Sequence, residues 1–549
     1  MTAGRLDPAE RARALDRMRS GVLDVLVVGG GVVGAGAALD AATRGLTTGL
    51  LERRDWASGT SSRSSRLAHG GLRYLEQLEF GLVHEALTER GLLLDRLAPH
   101  LVRPVPFLLP LTRRGWERPY VGAGVALYDA LSRVSRKGGA LPGHRHLSKR
   151  ATEQLAPGLD PDAYTGAIAF FDAQIDDARH TMAVVRTAAT HGALAASRVE
   201  VVGFLRDIDR VVGVRAVDRE SGQHLEIRAH AVAGATGVWT EQTRGLLDGA
   251  TEAGTPVVPS KGVHLVVPRD AIDMHAAVIT RTPKSVLFLL PWGQTWLVGT
   301  TDTPWEGDRD EPETTAEDVA YLLEQANRWL TRPLTHDDVI GVFAGLRPLV
   351  AEGGAEPAET AKISREHVVT RPAPGLVQIA GGKYTTYRVM ARDLVDATAE
   401  DLPFDIPASR TDNVLIAGAD GYQEVWQGRE FLAAEAGLTE PEIRRLLRRY
   451  GADVHEVLEL VAGDPDLGRR VHPHAPVLRA EIVYSASHEG ALLLEDVLIR
   501  RTRLALITRD AARSVATEAA RLLAPVLGWD DDRVAAEVAA YLAVAPVVP

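Results

Sequence analysis

There is no cysteine among the 549 residues. That rules out disulfides, thiolate zinc sites, cysteine-ligated iron–sulfur clusters and a cysteine nucleophile. No run of roughly 18 or more apolar residues occurs, so nothing reads as a membrane-spanning helix. The first apolar run, Val22 to Val28, is short, contains Asp24 and follows a charged stretch, which is not a signal-peptide pattern. A cytoplasmic protein is the expectation. Positive charge is in deficit: the net charge is −11, which argues against a nucleic-acid partner. His472 and His474 have no third ligand at a recognisable spacing, so no metal site is expected. What remains is an ordinary globular composition, 45% hydrophobic and 25% charged, in a chain long enough for two or more domains.

The clearest local pattern lies at 22–52. VLDVLVV reads as a buried strand, GGGVVGAG as a tight turn, AALDAATRG as a helix of small residues, and TTGLLE as a second strand. Gly29, Gly31 and Gly34 form G-x-G-x-x-G. They serve the tight turn, the close approach of backbone to a pyrophosphate, and the packing of helix on strand. The helix start offers N–H groups and a positive dipole end to phosphates. Glu52 closes the second strand, where an acid can bind a ribose hydroxyl. Two glycine-rich segments far downstream can return to the same ligand: ATGVW with Gly237, and GGKYTTYR with Gly382 and Thr385. A helix start in the second suits a reduced flavin ring, which favours FAD over NAD. Without cysteine, a cysteinyl bond to that flavin is excluded.

Between the two strands and these segments lies TSSRSSRLAHGGLRYLE, residues 60–76. Thr60, Ser61, Ser62, Ser64 and Ser65 carry hydroxyls that can donate to phosphate oxygens, and Arg66 can neutralise them. His69 and Gly70 can lie against a flat ring, and Arg73 offers a fork for an anionic group. Residues 80–98 read as an amphipathic helix with Leu82, Ala86, Leu93 and Leu97 on one side. Residues 199–234 alternate as a meander with turns near Asp209 and Ser221-Gly222, strands recur at 285–290, 295–300 and 376–380, and a helix spans roughly 384–399. IPASR reads as a linker, followed by helical patterns that include the run His488 to Arg509. Trp239 and Trp292 are read as packing residues.

GGGVVGAGAALDAATRGL, TSSRSSRLAHGGLRYLE, DDAR at 176–179, GTTDTPWEGD at 299–308, AGLRPL at 344–349 and GGKYTTYRVMA at 381–391 occur in this order. The set resembles the aerobic, FAD-dependent sn-glycerol-3-phosphate dehydrogenases and the related glycerophosphate oxidases, from about residue 8 to about 510. EIVYSASHEGALLLEDVLIRRTRL at 481–504 resembles their C-terminal domain. The resemblance implies that Arg73, Tyr74, Arg347 and Lys383 bind substrate and that His69 lies beside the flavin. Three cations from distant segments suit a phosphate dianion. Two departures stand out: Arg66 occupies a position where lysine is common, and Gly234 one where asparagine is common.

The implied fold is α/β. It comprises an FAD-binding Rossmann-like domain of the glucose/amino-acid oxidase-like type, an interleaved β-sheet substrate domain, and a helical C-terminal domain at 412–549. Within 20–405 the expected FAD segments are about 20–110, 165–240 and 340–400, and the substrate segments about 111–164 and 241–339. The implied reaction takes sn-glycerol 3-phosphate to dihydroxyacetone phosphate, with His69 as base and with quinone, oxygen or another carrier as acceptor. A related amine or hydroxy-acid oxidase and a non-catalytic flavin-binding scaffold are the other readings. A homodimer is among the assemblies the sequence allows. Docking on the cytoplasmic face of a membrane is expected through Arg11, Arg13, Arg17 and Arg19, through Arg444, Arg445, Arg448 and Arg449, and through Arg500, Arg501 and Arg503.

The purified protein is therefore expected to be yellow, and acid precipitation to release FAD into the supernatant. Flavin retained in the pellet would mean a histidyl link, and a colourless protein that takes up NAD would refute the assignment.

Overall fold

A computed structural model describes residues 4–76, 78–113, 115–135, 141–247, 256–283, 286–350 and 366–549. The β-branched run Val22–Val28 is the centre of an eight-stranded sheet. It pairs in parallel with Thr48–Leu51 on one side and His224–Gly234 on the other. Leu194–Ala196 extends the sheet beyond Thr48–Leu51, and Leu376–Gly381 and His367–Ala373 extend it beyond His224–Gly234. Val199–Asp207 and Arg210–Asp218 form an antiparallel arm on His224–Gly234, turning at the two places read from the sequence. The helix Val32–Thr43 packs between the helices Asp177–Thr190 and Tyr387–Ala399. Its small residues permit this. A Cβ on Gly36 would stand 3.0 Å from Ala391 Cβ and 3.1 Å from the Tyr387 ring.

A second, ten-stranded sheet runs through Thr303–Pro304, Val257–Pro268, Thr295–Gly299, Val286–Trp292, Ala277–Arg281, Val102–Leu111, Gly166–Ile175 and Leu67–Ala68. Gly341–Val350 pairs with Val257–Pro268, and Arg145–Ser148 with Gly166–Ile175. Several of its strands fall within segments expected from sequence to build the FAD-binding unit. Residues 102–111, 166–175 and 341–350 belong to this sheet rather than to the dinucleotide sheet. The reason is hydrogen-bond partnership: Val102–Leu111 and Gly166–Ile175 pair antiparallel along their full length, a non-local choice that local patterning does not encode.

Past residue 409 the chain is mainly helical, with helices including Glu440–Tyr450, Val454–Gly463, Arg479–Ser487, Ala516–Leu527 and Asp531–Val544. The expected helical run His488 to Arg509 is instead irregular, apart from the π-turn Asp496–Arg501 and the short helix Leu504–Ile507. This irregular stretch carries the arginines weighed above as a lipid-facing cluster, and they do not face lipid. Arg500, Arg501 and Arg503 are buried. Arg500 and Arg501 both pair with Asp55, at 2.5 and 2.7 Å, and Arg503 pairs with Asp177 at 2.5 Å. Arg445 and Arg449 pair with the buried Glu481. On the N-terminal helix Pro8–Ser20, Arg11 is bound to Asp218 and to the Ser197 carbonyl.

Asp55 is 1% exposed and faces two guanidinium groups. Removing one partner of a buried pair leaves uncompensated charge, at a cost of about 3–5 kcal/mol. Asp55→Asn is expected to lower the midpoint of thermal and urea unfolding accordingly. A loss below about 1 kcal/mol, the range of surface pairs, would show that this junction is not held by charge.

Candidate active site

Both sheets contribute to a cavity of about 560 Å³. One end is built by the glycine turn. Gly29 has φ +114° and donates its N–H to Leu51 O at 2.8 Å. A Cβ on Gly34 would overlap the Gly29 carbonyl oxygen, so that position admits only glycine. Gly31 starts the helix Val32–Thr43, and the Val32 N–H donates to Ser61 Oγ at 2.9 Å. A serine oxygen therefore stands where the helix start presents its N–H groups, with its own proton left to donate. Glu52 receives the Gly30 N–H at 2.6 Å and the Arg54 N–H at 2.7 Å, and burial pushes its carboxyl above the usual range. Arg53, Arg54, Arg63, Trp239 and residues 199–202 also line this end. Arg53 lies over the Trp239 ring at 5.4 Å.

The other end gathers His69, Tyr74, Arg347, Lys383, Tyr384 and Thr385. Gly381 and Gly382, both with φ +80°, turn the chain so that Lys383 and a short helix face the cavity. The Lys383 ammonium lies 3.7 Å from the centre of the buried Tyr74 ring. The backbone of His69 is fixed by Thr385, whose hydroxyl accepts from His69 N at 3.0 Å and donates to His69 O at 3.3 Å. Arg347 donates to Thr300 Oγ1 at 3.2 Å, to Thr301 O at 3.1 Å and to Asp302 at 3.4 Å. The side chain of Arg73 lies outside the described residues; its backbone sits in the turn Leu72–Leu75, next to Tyr74.

Thr60, Ser64 and Gly237 line the cavity as well, although Thr60 donates to Leu346 O at 2.7 Å and Ser64 to Asp177 at 2.8 Å. Gly34 packs the turn without lining the cavity, and three further expected contacts are not brought to it. Ser62 is buried and offers its carbonyl to Arg503 at 3.0 Å. Gly70 packs behind the wall, its N–H on the Tyr128 hydroxyl at 2.8 Å. Arg66 is fully buried, with its guanidinium 3.4 Å from the centre of the Trp292 ring. Burial and the neighbouring Arg503 push its pKa down to about 9. Trp292 is a packing residue, as read, but what it packs is the cation expected at the phosphates.

Ser65, expected to donate to phosphate, has another partner, and Tyr384 was not singled out from sequence. Ser65 Oγ and His264 Nε2 are 2.8 Å apart, and both line the cavity. His264 is stacked on Phe343 at 4.8 Å, and its pKa is pushed down to about 3 by burial, then by Arg347 and Arg66. The Tyr384 hydroxyl donates to Asp177 O at 2.7 Å and lies 3.0 Å from His180 Nδ1. The DDAR motif thus acts as an anchor: Asp177 holds Ser64, Tyr384 and Arg503 together. For Tyr384 a signal existed, its place inside GGKYTTYR. For Ser65–His264 there was none, because 199 residues separate the pair.

FAD fits this arrangement on the structure's own terms. The crowded glycine turn brings a helix start and the Ser61 hydroxyl to one end, which is also lined by Arg53, Arg54 and Arg63, each paired with Asp310 or Glu311. Residues 24–396 match the model of the FAD dependent oxidoreductase family, and residues 409–534 that of the C-terminal domain of alpha-glycerophosphate oxidase. The chain is 50% identical over 544 residues to glycerol-3-phosphate dehydrogenase 2 of Mycobacterium tuberculosis, covering 98% of this chain and 91% of the relative. It is 36% identical over 545 residues to the human mitochondrial glycerol-3-phosphate dehydrogenase, covering 95% of this chain and 73% of the relative. The solved structure of the Bacillus halodurans glycerol-3-phosphate dehydrogenase complexed with FAD matches with a TM-score of 0.80 and 30% identity, over 98% of this chain and 97% of that one. These matches bear out the expected α/β fold with its FAD-binding unit and helical C-terminal domain. The chain belongs to the FAD-dependent oxidoreductase family, within the group formed by the glycerol-3-phosphate dehydrogenases.

Proposed function

We propose that this enzyme oxidises sn-glycerol 3-phosphate to dihydroxyacetone phosphate and passes the electrons to a quinone at a membrane surface. The observation that carries the substrate is the convergence of Arg347 and Lys383 with His69 and Tyr74 at one end of the cavity. Two cations from distant segments, with Arg73 directly before Tyr74 in the same turn, suit a phosphate dianion better than a carboxylate. The names of the relatives point the same way.

When bound, FAD supplies the acceptor for the hydride leaving the alcohol carbon. The chain's residues supply the rest. Arg347 and Lys383 bind the phosphate, and Tyr74 holds the Lys383 ammonium in place. His69 takes the hydroxyl proton, since imidazole is the side chain suited to proton transfer near neutral pH. His264 is too weak a base for this role, being pushed down to about 3, and serves as a neutral partner to Ser65.

For the acceptor, a surface feature supports the membrane reading beside the exposed Arg13, Arg17, Arg19, Arg444 and Arg448. The helix Glu117–Ser135 turns Tyr120, Ala123, Ala126, Leu127 and Ala130 to solvent, with Trp116 just before it. Trp116 is 59% and Tyr120 58% exposed. Exposed Arg113 and Arg133 flank this apolar stripe. Aromatic and aliphatic residues rimmed by arginine suit an anionic lipid surface. The helix also packs against the turn Leu72–Leu75, one wall of the cavity.

Two measurements test the reading. In stopped-flow reduction, His69→Ala is expected to slow flavin reduction about 10²–10⁴-fold, and Arg347→Ala and Lys383→Ala to lower kcat/KM roughly ten- to a hundredfold with FAD still bound. Parental kinetics in all three would move the site elsewhere. In sedimentation with anionic liposomes at low salt, the parent is expected in the pellet and a Trp116→Glu, Tyr120→Glu double variant in the supernatant. A parent that stays in the supernatant would remove the membrane reading.

A further inference from the structure

The motif GTTDTPWEGD has no role in the scheme above, yet its first residues surround Arg347. Arg347 lies mid-strand in Gly341–Val350, directly opposite Ser260 on Val257–Pro268. The connection after Thr295–Gly299 brings Thr300, Thr301 and Asp302 over this pair. The Ser260 hydroxyl donates to Asp302 Oδ1, and Arg347 donates to the same oxygen at 3.4 Å. Ser260 is fully buried, and the Asp302 side chain is 3% exposed. Thr301 is fixed from behind, its Oγ1 receiving the Val263 N–H at 3.0 Å. Below the guanidinium lies Gly262, where a Cβ would stand 2.6 Å from Arg347 Nη2 and 2.7 Å from Thr300 Oγ1. The guanidinium therefore lies in a slot with a glycine floor and walls of two threonines and a carboxylate.

We propose that Asp302 is the positioning residue for substrate phosphate recognition, holding Arg347 at the angle at which it meets the dianion. The proposal rests on the reading of Arg347 as a phosphate-binding arm.

On charge alone, a buried carboxylate this close to a phosphate site is unfavourable, because like charges repel. Its compensating effect is preorganisation. Arginine loses much rotamer freedom when it binds, and an arginine already held in its bound orientation loses less at that moment. The two effects have opposite signs, so a variant that removes the charge and keeps the shape separates them.

Asp302→Asn keeps the size and can still accept from Ser260. If Asp302 positions Arg347, KM for glycerol 3-phosphate rises about tenfold, the scale of one charge-assisted contact, while kcat falls less than threefold. Asp302→Glu, which restores the charge on a longer arm, recovers part of that loss. If Asp302 acts only as a counter-charge, Asp302→Asn lowers KM, which overturns the proposal, as does an unchanged KM. FAD content and unfolding midpoint are measured on each variant. Should Asp302→Asn fail to fold, Ser260→Ala loosens the same carboxylate while leaving it in place; a raised KM there supports the proposal and a parental KM overturns it. Arg347→Ala is assayed in parallel. A parental KM in that variant refutes the phosphate-arm reading itself, whereas a raised KM there with a lowered one in Asp302→Asn refutes only the positioning role.

Discussion

Buried carboxylates, each gripped by arginine, determine where the wall of the cavity stands. Residues 53–66 have little regular secondary structure, yet they supply much of that wall. Asp55, near the start of the segment, is held by Arg500 and Arg501, and Ser62 and Ser64, near its end, by Arg503 and Asp177. Glu489 grips Arg179 at 2.6 Å on the same junction. Charges this deeply buried are expensive to desolvate and are retained where partners and geometry are fixed together. A loop without its own hydrogen-bond ladder needs an external template, and the stretch Arg500–Arg503 together with Asp177 provides it.

The two ends of the cavity work by different means. At the glycine turn the recognising groups are mostly backbone: N–H groups at a helix start, with Gly34 crowded against Gly29. At the opposite end they are side chains on distant strands and turns. Each of these is fixed by a neighbour: Lys383 by Tyr74, Arg347 by Thr300 and Asp302, Ser65 by His264, and the His69 backbone by Thr385. Backbone recognition tolerates changes of side chain around it. Side-chain recognition depends on a supporting layer, which is why motifs such as DDAR and GTTD sit one residue back from the cavity.

Legibility in the sequence follows the range of the interaction. The unit from Val22 to Leu51 was readable throughout, because strand, turn and helix each carry a local period and the glycines mark the turn. The meander at 199–234 and the helix ending near 399 were readable for the same reason. Sheet membership of Val102–Leu111, Gly166–Ile175 and Gly341–Val350 was not, because pairing is decided across the whole chain. Ser/Arg-rich composition was ambiguous in a specific way: an arginine that meets phosphate and one that stacks under tryptophan look identical in sequence. Arg66 is of the second kind, and Arg500, Arg501 and Arg503 are ion-paired inside the protein, where a lipid face was expected.

The junction at Asp55 also has a direction in time. Its partner Arg500 follows 445 positions later in the chain. A ribosome completes the glycine turn hundreds of residues before it reaches the groups that fix the adjoining wall. The nascent chain thus carries a dinucleotide-binding turn long before it has a closed cofactor chamber. A chain that stops before Arg500 keeps the recognisable motif without the side chains that hold the adjoining wall.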